Sequence, residues 1–96
     1  MNKSYKDDLG RKTWAFLHTL AEGYPDRPSE NEKSGMNSLF YSIAKMYPCS
    51  ICRNHYKQMI INHPPKVSNG KELRLYLCNL HNIVNKRLNK PIYKCN

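Results

Sequence analysis

Prolines at positions 25, 28, 48, 64, 65 and 91 cut this chain into four stretches, and each carries apolar residues at helical spacing. Strand-like alternation persists nowhere. A first helix opens at Asp7-Asp8, whose charge suits a helix N-terminus, and ends near Gly23. Leu9, Thr13, Phe16 and Leu20 share one of its faces. Ser29 with Glu32 reads as a capping box for a second helix, whose stripe is Met36, Leu39, Phe40, Ile43, Met46 and Tyr47. Pro48 ends it, because the residue before a proline leaves the α region. A third helix spans 50–62 and stops at Pro64-Pro65. The fourth spans 71–88, with Leu73, Leu77, Leu80, Val84 and Leu88 on one side. Short links between such helices predict an all-α, antiparallel four-helix bundle in a single domain over 1–96.

A chain of 96 residues buries only about two-thirds of its unfolded surface. Leu, Ile, Val and Phe number 19, so the core needs support from a disulfide, a metal, a cofactor or a partner subunit. The longest apolar runs, 14–17 and 75–78, are far short of the roughly twenty residues that span a bilayer, so no membrane segment is expected. The first ten residues carry charge and no apolar core, and no secretory signal is expected from them. Sixteen basic against seven acidic residues give +9, which suits an anionic partner: a phosphate-bearing cofactor, an acidic protein or nucleic acid.

Three polar constellations fall at helical spacing. Arg11, Trp14 and His18 line one side of the first helix, and Cys78, His81 and Asn85, with Asn82 beside them, line one side of the fourth. Amides and imidazoles are poor helix formers that are costly to bury unpaired, so these faces are candidates to bind a polar group. A solvated stripe or a core Trp with a boundary His is the plainer alternative. The third constellation, Cys49-Ser50-Ile51-Cys52, begins a helix, where backbone N–H groups favour thiolate. It suits a redox pair, a structural disulfide or half a metal site. A Cys₃His zinc site from Cys49, Cys52, Cys78 and His81, with His55 in reserve, has workable local spacing but leaves Cys95 and the first-helix face unexplained.

Taken in order, these motifs resemble the FAD-dependent sulfhydryl oxidases of the Erv/ALR family from about Leu9 to Cys95. They are Gly10-Arg11-Lys12-Thr13-Trp14-Ala15-Phe16-Leu17-His18, Tyr24-Pro25-Asp26, Tyr47-Pro48-Cys49-Ser50-Ile51-Cys52, His81-Asn82-Ile83-Val84-Asn85-Lys86, and Lys90-Pro91 with Cys95. The resemblance implies a four-helix bundle plus a short fifth helix, with FAD at the mouth of the bundle and a homodimer formed through the first two helices. It implies that Cys49 and Cys52 are the redox pair, with Cys52 facing the flavin, and that Cys78 and Cys95 form a structural disulfide. Arg11, Trp14 and His18 would contact the cofactor from the first helix. His81, Asn82 and Asn85 would hold its adenine and ribose side, Lys86 and Lys90 its phosphates, and Tyr93 would pack on it. Gly10, Lys45, Tyr47 and Cys78 complete the implied cofactor-binding set, with no metal.

The implied activity is oxidation of thiols in client proteins or an oxidoreductase shuttle, with electrons passed to oxygen, giving peroxide, or to cytochrome c. Neither nucleic acid nor membrane is an expected partner. From charge alone, a basic nucleic-acid-binding helical domain and a merely solvated basic surface stand as alternatives. The mitochondrial intermembrane space is the expected compartment, with the secretory pathway second. Family members usually carry a further shuttle cysteine pair. Here all four cysteines are used by the core, so either electrons are taken from clients directly or the shuttle segment is missing from this chain, and a trimmed catalytic core is the favoured expectation.

Overall fold

The computed structural model describes residues 3–95, with side chains from Tyr5 onward. It contains four helices: α1 (Lys3–Glu22), α2 (Glu30–Met46), α3 (Ser50–Asn62) and α4 (Gly70–Arg87). The closest helix pairings are α1 with α4 and α2 with α3. Phe40, Leu17, Ile60, Leu73, Leu77 and Leu80, one or more from every helix, are each less than 2% exposed and form the centre. Burying each such side chain contributes about 1.5–3 kcal/mol.

Local chemistry sets the helix starts. Ser29 Oγ accepts from Glu32 N–H at 3.1 Å while Ser29 N–H donates to Glu32 Oε1 at 2.8 Å, closing the capping box on α2. Asn69 Oδ1 accepts from Glu72 N–H at 2.8 Å and caps α4. Gly70 then passes directly beneath the α1–α2 link. Its N–H donates to Pro25 O at 3.0 Å, and a Cβ there would stand 2.6 Å from Tyr24 O. Tyr24 Oη donates to Val67 O at 2.7 Å, so the two links are laced together at one end of the bundle.

The structure corrects the sequence reading in four places. The first helix begins at Lys3, a turn before Asp7. Its buried stripe runs through Leu17 and Ala21, and Phe16 is 56% exposed. The expected face is therefore rotated by about one residue, because α4 packs on the side that also carries Trp14 and His18. Met46 and Leu88, at the ends of their helices, are exposed rather than packed. No fifth helix forms among the described residues: 90–95 are irregular. Pro91 interrupts the chain there, and the Asn82 amide takes the Tyr93 backbone groups that a helix would use internally.

Candidate functional site

The α1–α4 packing brings three rings together. Trp14 stacks on His81 with ring centroids 4.1 Å apart and planes 6° from parallel. His18 Nε2 and His81 Nδ1 lie 3.1 Å apart, so one imidazole donates and the other accepts. Burial holds both imidazoles below their usual pKa; Lys90 and His18 push His81 further down, while Glu22 partly offsets the effect at His18. The pair is thus neutral at pH 7. Tyr93, 65% exposed, tilts over His81 at 6.3 Å. His18, Cys78, His81 and Tyr93 line a cleft of about 310 Å³ that opens to solvent. Its aromatic walls, neutral hydrogen-bonding edges and nearby Lys90 charge suit a flat heteroaromatic ring that carries an anionic group.

One wall is the tail. A disulfide joins Cys78 to Cys95. The chain turns after α4 at Asn89, whose φ of 57° is left-handed, and Lys90 N–H donates to Asn85 O at 2.8 Å. Asn82 then brackets the tail: its Nδ2 donates to Tyr93 O at 2.8 Å and to Cys95 Sγ at 3.2 Å, and its Oδ1 accepts from Tyr93 N–H at 3.0 Å. Asn85, only 4% exposed, donates to the same Oδ1 at 3.3 Å. Asn82, expected on the adenine and ribose, therefore has its amide taken up by the tail. It shapes the cavity by holding Tyr93 and Cys95.

Cys49 and Cys52 stand as free thiols at the start of α3. Cys49 is the helix N-cap, and its Sγ accepts from Cys52 N–H at 3.4 Å. The Cys52 thiol, donating to Cys49, holds the Cys49 pKa below the ordinary thiol value, with backbone N–H groups and Lys6 adding to the effect. Burial and the neighbouring Cys49 charge raise Cys52. Of the two, Cys49 is thus the more readily ionised and Cys52 holds its proton more firmly. Tyr47 lies beside both, its hydroxyl 3.4 Å from Thr13 Oγ1 and its carbonyl accepting from Arg53 Nη1 at 2.8 Å. Thr13 immediately precedes Trp14, so consecutive α1 residues reach the cysteine neighbourhood and the ring cluster.

The remaining candidates are dispersed. Arg11 is exposed and sits 3.8 Å from Asp8. Lys45 and Lys86 are exposed in the last turns of α2 and α4. Gly10 is half-buried, with open space where a Cβ would stand. Sequence reasoning missed Lys6, Thr13 as a Tyr47 partner, Arg53, and Tyr56, which stacks on Tyr47 at 6.5 Å and whose buried hydroxyl has no partner among the described residues. Helical spacing was the available signal: Lys6, Gly10 and Thr13 share an α1 face, and Tyr56 lies one turn after Cys52. The zinc reading fails on geometry. Cys78 sulfur is spent in the disulfide, and no three His, Cys, Asp or Glu side chains among the described residues gather as metal ligands.

Comparison with known proteins bears on this arrangement. A family model described as the Erv1 / Alr family matches residues 11–96. The FAD-linked sulfhydryl oxidase ERV1 of Arabidopsis thaliana is 40% identical over 90 residues, covering 94% of this chain and 47% of that protein. The mitochondrial FAD-linked sulfhydryl oxidase ERV1 of Saccharomyces cerevisiae is 36% identical, covering 94% and 48%. The chain thus spans about half the length of the curated relatives it matches. The crystal structure of the FAD binding domain of Erv1 from Saccharomyces cerevisiae superimposes with a TM-score of 0.90 at 36% identity, covering 93% of this chain and 85% of that one.

Proposed function

Because the chain belongs to the Erv1/Alr family, we propose that it is an FAD-linked sulfhydryl oxidase whose redox pair is Cys49 and Cys52. The observation that carries this reading is the placement, on one helix, of Thr13 against the cysteine-flanking Tyr47 and of Trp14 and His18 against His81. The ring cluster fits FAD chemically. His18, His81 and Tyr93 would hold a flat ring, with Trp14 backing His81 and Lys90 near the phosphates. Arg11, Lys45 and Lys86 would have to swing in from solvent, and Gly10 leaves room beside α1. Bound FAD would supply a two-electron acceptor next to the dithiol.

The chain's own residues perform thiol exchange. A client dithiol reduces the Cys49–Cys52 disulfide, leaving Cys49 the more readily ionised thiol and the more firmly held proton on Cys52. Re-forming the S–S bond requires that Cys52 lose this proton. Cys52 is the sulfur assigned to face the flavin. Oxygen, giving peroxide, or cytochrome c is the final acceptor. Exposed Phe16 on α1 and Tyr41 on α2 support a homodimer through these helices. The Cys78–Cys95 disulfide suits an oxidising compartment, and with the yeast relative's name it supports the mitochondrial intermembrane space.

The test combines a spectrum with turnover. Purified protein should carry the flavin absorbance and oxidise dithiothreitol. Cys52→Ser should retain the flavin and lose turnover. Near wild-type turnover in that variant refutes the assignment.

A further inference from the structure

The cysteine pair lies within a stretch of one charge sign. Between Glu32 and Glu72 the chain contains no acidic residue, while Lys33, Lys45, Arg53, Lys57, Lys66 and Lys71 all fall there. That interval holds nearly all of α2, the link bearing Cys49, and all of α3. Of these six cations only Lys33 has a carboxylate partner among the described residues. Arg53 donates to a neutral carbonyl, which leaves its charge uncompensated. Lys6 of α1 adds a charge close enough to favour thiolate at both cysteines.

A second observation is independent of charge. Met46 is 76% exposed and Ile51 is 61% exposed, on either side of Cys49 in sequence. Met46 is the most exposed large apolar side chain among the described residues. A single exposed apolar side chain needs no explanation. Two that flank Cys49, one of them between the paired cysteines, inside an acid-free basic stretch, give the neighbourhood of the dithiol a chemical preference. A solvated surface would be served better by polar residues at both positions.

We propose that the client oxidised at Cys49–Cys52 presents its cysteine pair on an acidic segment with an apolar neighbour, seated on Met46 and Ile51 with its carboxylates towards Lys6 and Arg53. This rests on the oxidase reading above and narrows its substrate class. In the exchange, one client thiolate attacks a sulfur of the Cys49–Cys52 disulfide. A client–enzyme S–S bond forms, the Cys49–Cys52 bond breaks, and the displaced sulfur leaves as thiolate. The client's second thiolate then attacks the client sulfur of the mixed disulfide, closing the client disulfide and releasing the other enzyme thiol. Two electrons and two protons pass from client to pair, and the oxidase reaction removes them.

The experiment uses the flavin-loaded protein and three substrates: dithiothreitol and two synthetic peptides sharing one Cys-x-x-Cys core. One peptide is flanked by Glu and Leu, the other by Lys and Ser. At low salt the acidic–apolar peptide should show kcat/KM at least about tenfold above the basic–polar one, and about 0.5 M salt should shrink that ratio. Met46→Ser with Ile51→Ser should lower the acidic–apolar peptide's kcat/KM, taken relative to dithiothreitol, by about tenfold. Equal rates for the two peptides, or a proportional loss on peptide and dithiothreitol alike, overturn the proposal. Failure to oxidise dithiothreitol in the wild type is a different result, since it removes the oxidase reading beneath it.

Discussion

Replacing Asn82 separates two roles that the sequence alone does not distinguish. As a cofactor contact, Asn82→Ala would weaken flavin binding and leave the tail alone. As the tail bracket seen in the structure, it loses the 2.8 Å bond to Tyr93 O and the 3.0 Å bond from Tyr93 N–H. At about 0.5–1.5 kcal/mol each, these sum to about 1–3 kcal/mol of tail attachment. That attachment keeps Cys95 beside Cys78, so it appears in the equilibrium of their disulfide. For a two-electron couple, about 1.4 kcal/mol corresponds to about 30 mV, so the Cys78–Cys95 potential should rise by about 20–60 mV. The assay equilibrates the protein in glutathione buffers of graded poise, traps thiols with an alkylating mass label, and counts labels by mass spectrometry. Cys49→Ser and Cys52→Ser in the background keep the redox pair out of the count. Asn82→Asp should fall between wild type and Asn82→Ala, because its carboxylate still accepts from Tyr93 N–H but cannot donate to Tyr93 O. A potential within about 10 mV of wild type in Asn82→Ala, on the same conversion, refutes the bracket, and flavin loss at unchanged potential restores the cofactor role.

Three further outcomes are expected. Cys78→Ala with Cys95→Ala should lower stability by about 3 kcal/mol, on the chain-entropy model for a loop of about this length, while dithiothreitol turnover persists; melting curves and oxygen consumption measure both. The pKa values of His18 and His81 are lowered on folding, so their contribution to stability is complete above their ordinary 6.5 and is lost as pH falls through the lowered values. Melting temperature should therefore drop on acidification below about pH 6.5, on the usual imidazole value, and less steeply in His81→Gln; parallel pH profiles would contradict this. Gly70→Ala places a methyl against the Tyr24 carbonyl and should cost about 1–3 kcal/mol, lowering the melting temperature by about 4–8 °C per kcal/mol.

The helices and their order were legible because their ends are written in local chemistry. Pro48, Pro64 and Pro65 deny helix continuation, and Ser29 with Glu32 satisfies the free N–H groups at a start. Which α1 face turns inward was not legible, since Phe16 and Leu17 are both apolar and only the partner helix decides between them. Within the site, Trp14, His18 and His81 stood out as polar or aromatic groups at helical intervals, and the structure brings them into contact. The use of Asn82 to hold the tail left no local trace, because its partners at Tyr93 and Cys95 lie beyond the α4 turn. Arg53 and Tyr56 were hidden for a similar reason: each acts on or beside Tyr47 across the α2–α3 link.

The helix pairing also sets an order of events as the chain folds. The α2–α3 contact joins neighbours in sequence and closes only a short link, so it costs little chain entropy and can form early. The α1–α4 contact joins the two ends of the described chain and must wait for the largest loop in the molecule to close. Cys49 and Cys52 belong to the early pair, whereas Trp14, His18 and His81 meet only through the late one. Loop closure thus favours forming the helix pair that carries the dithiol ahead of the contact that assembles the ring cluster. Because His18 of α1 forms one of its walls, the cleft beside His81 and Tyr93 is incomplete until α1 has docked on α4.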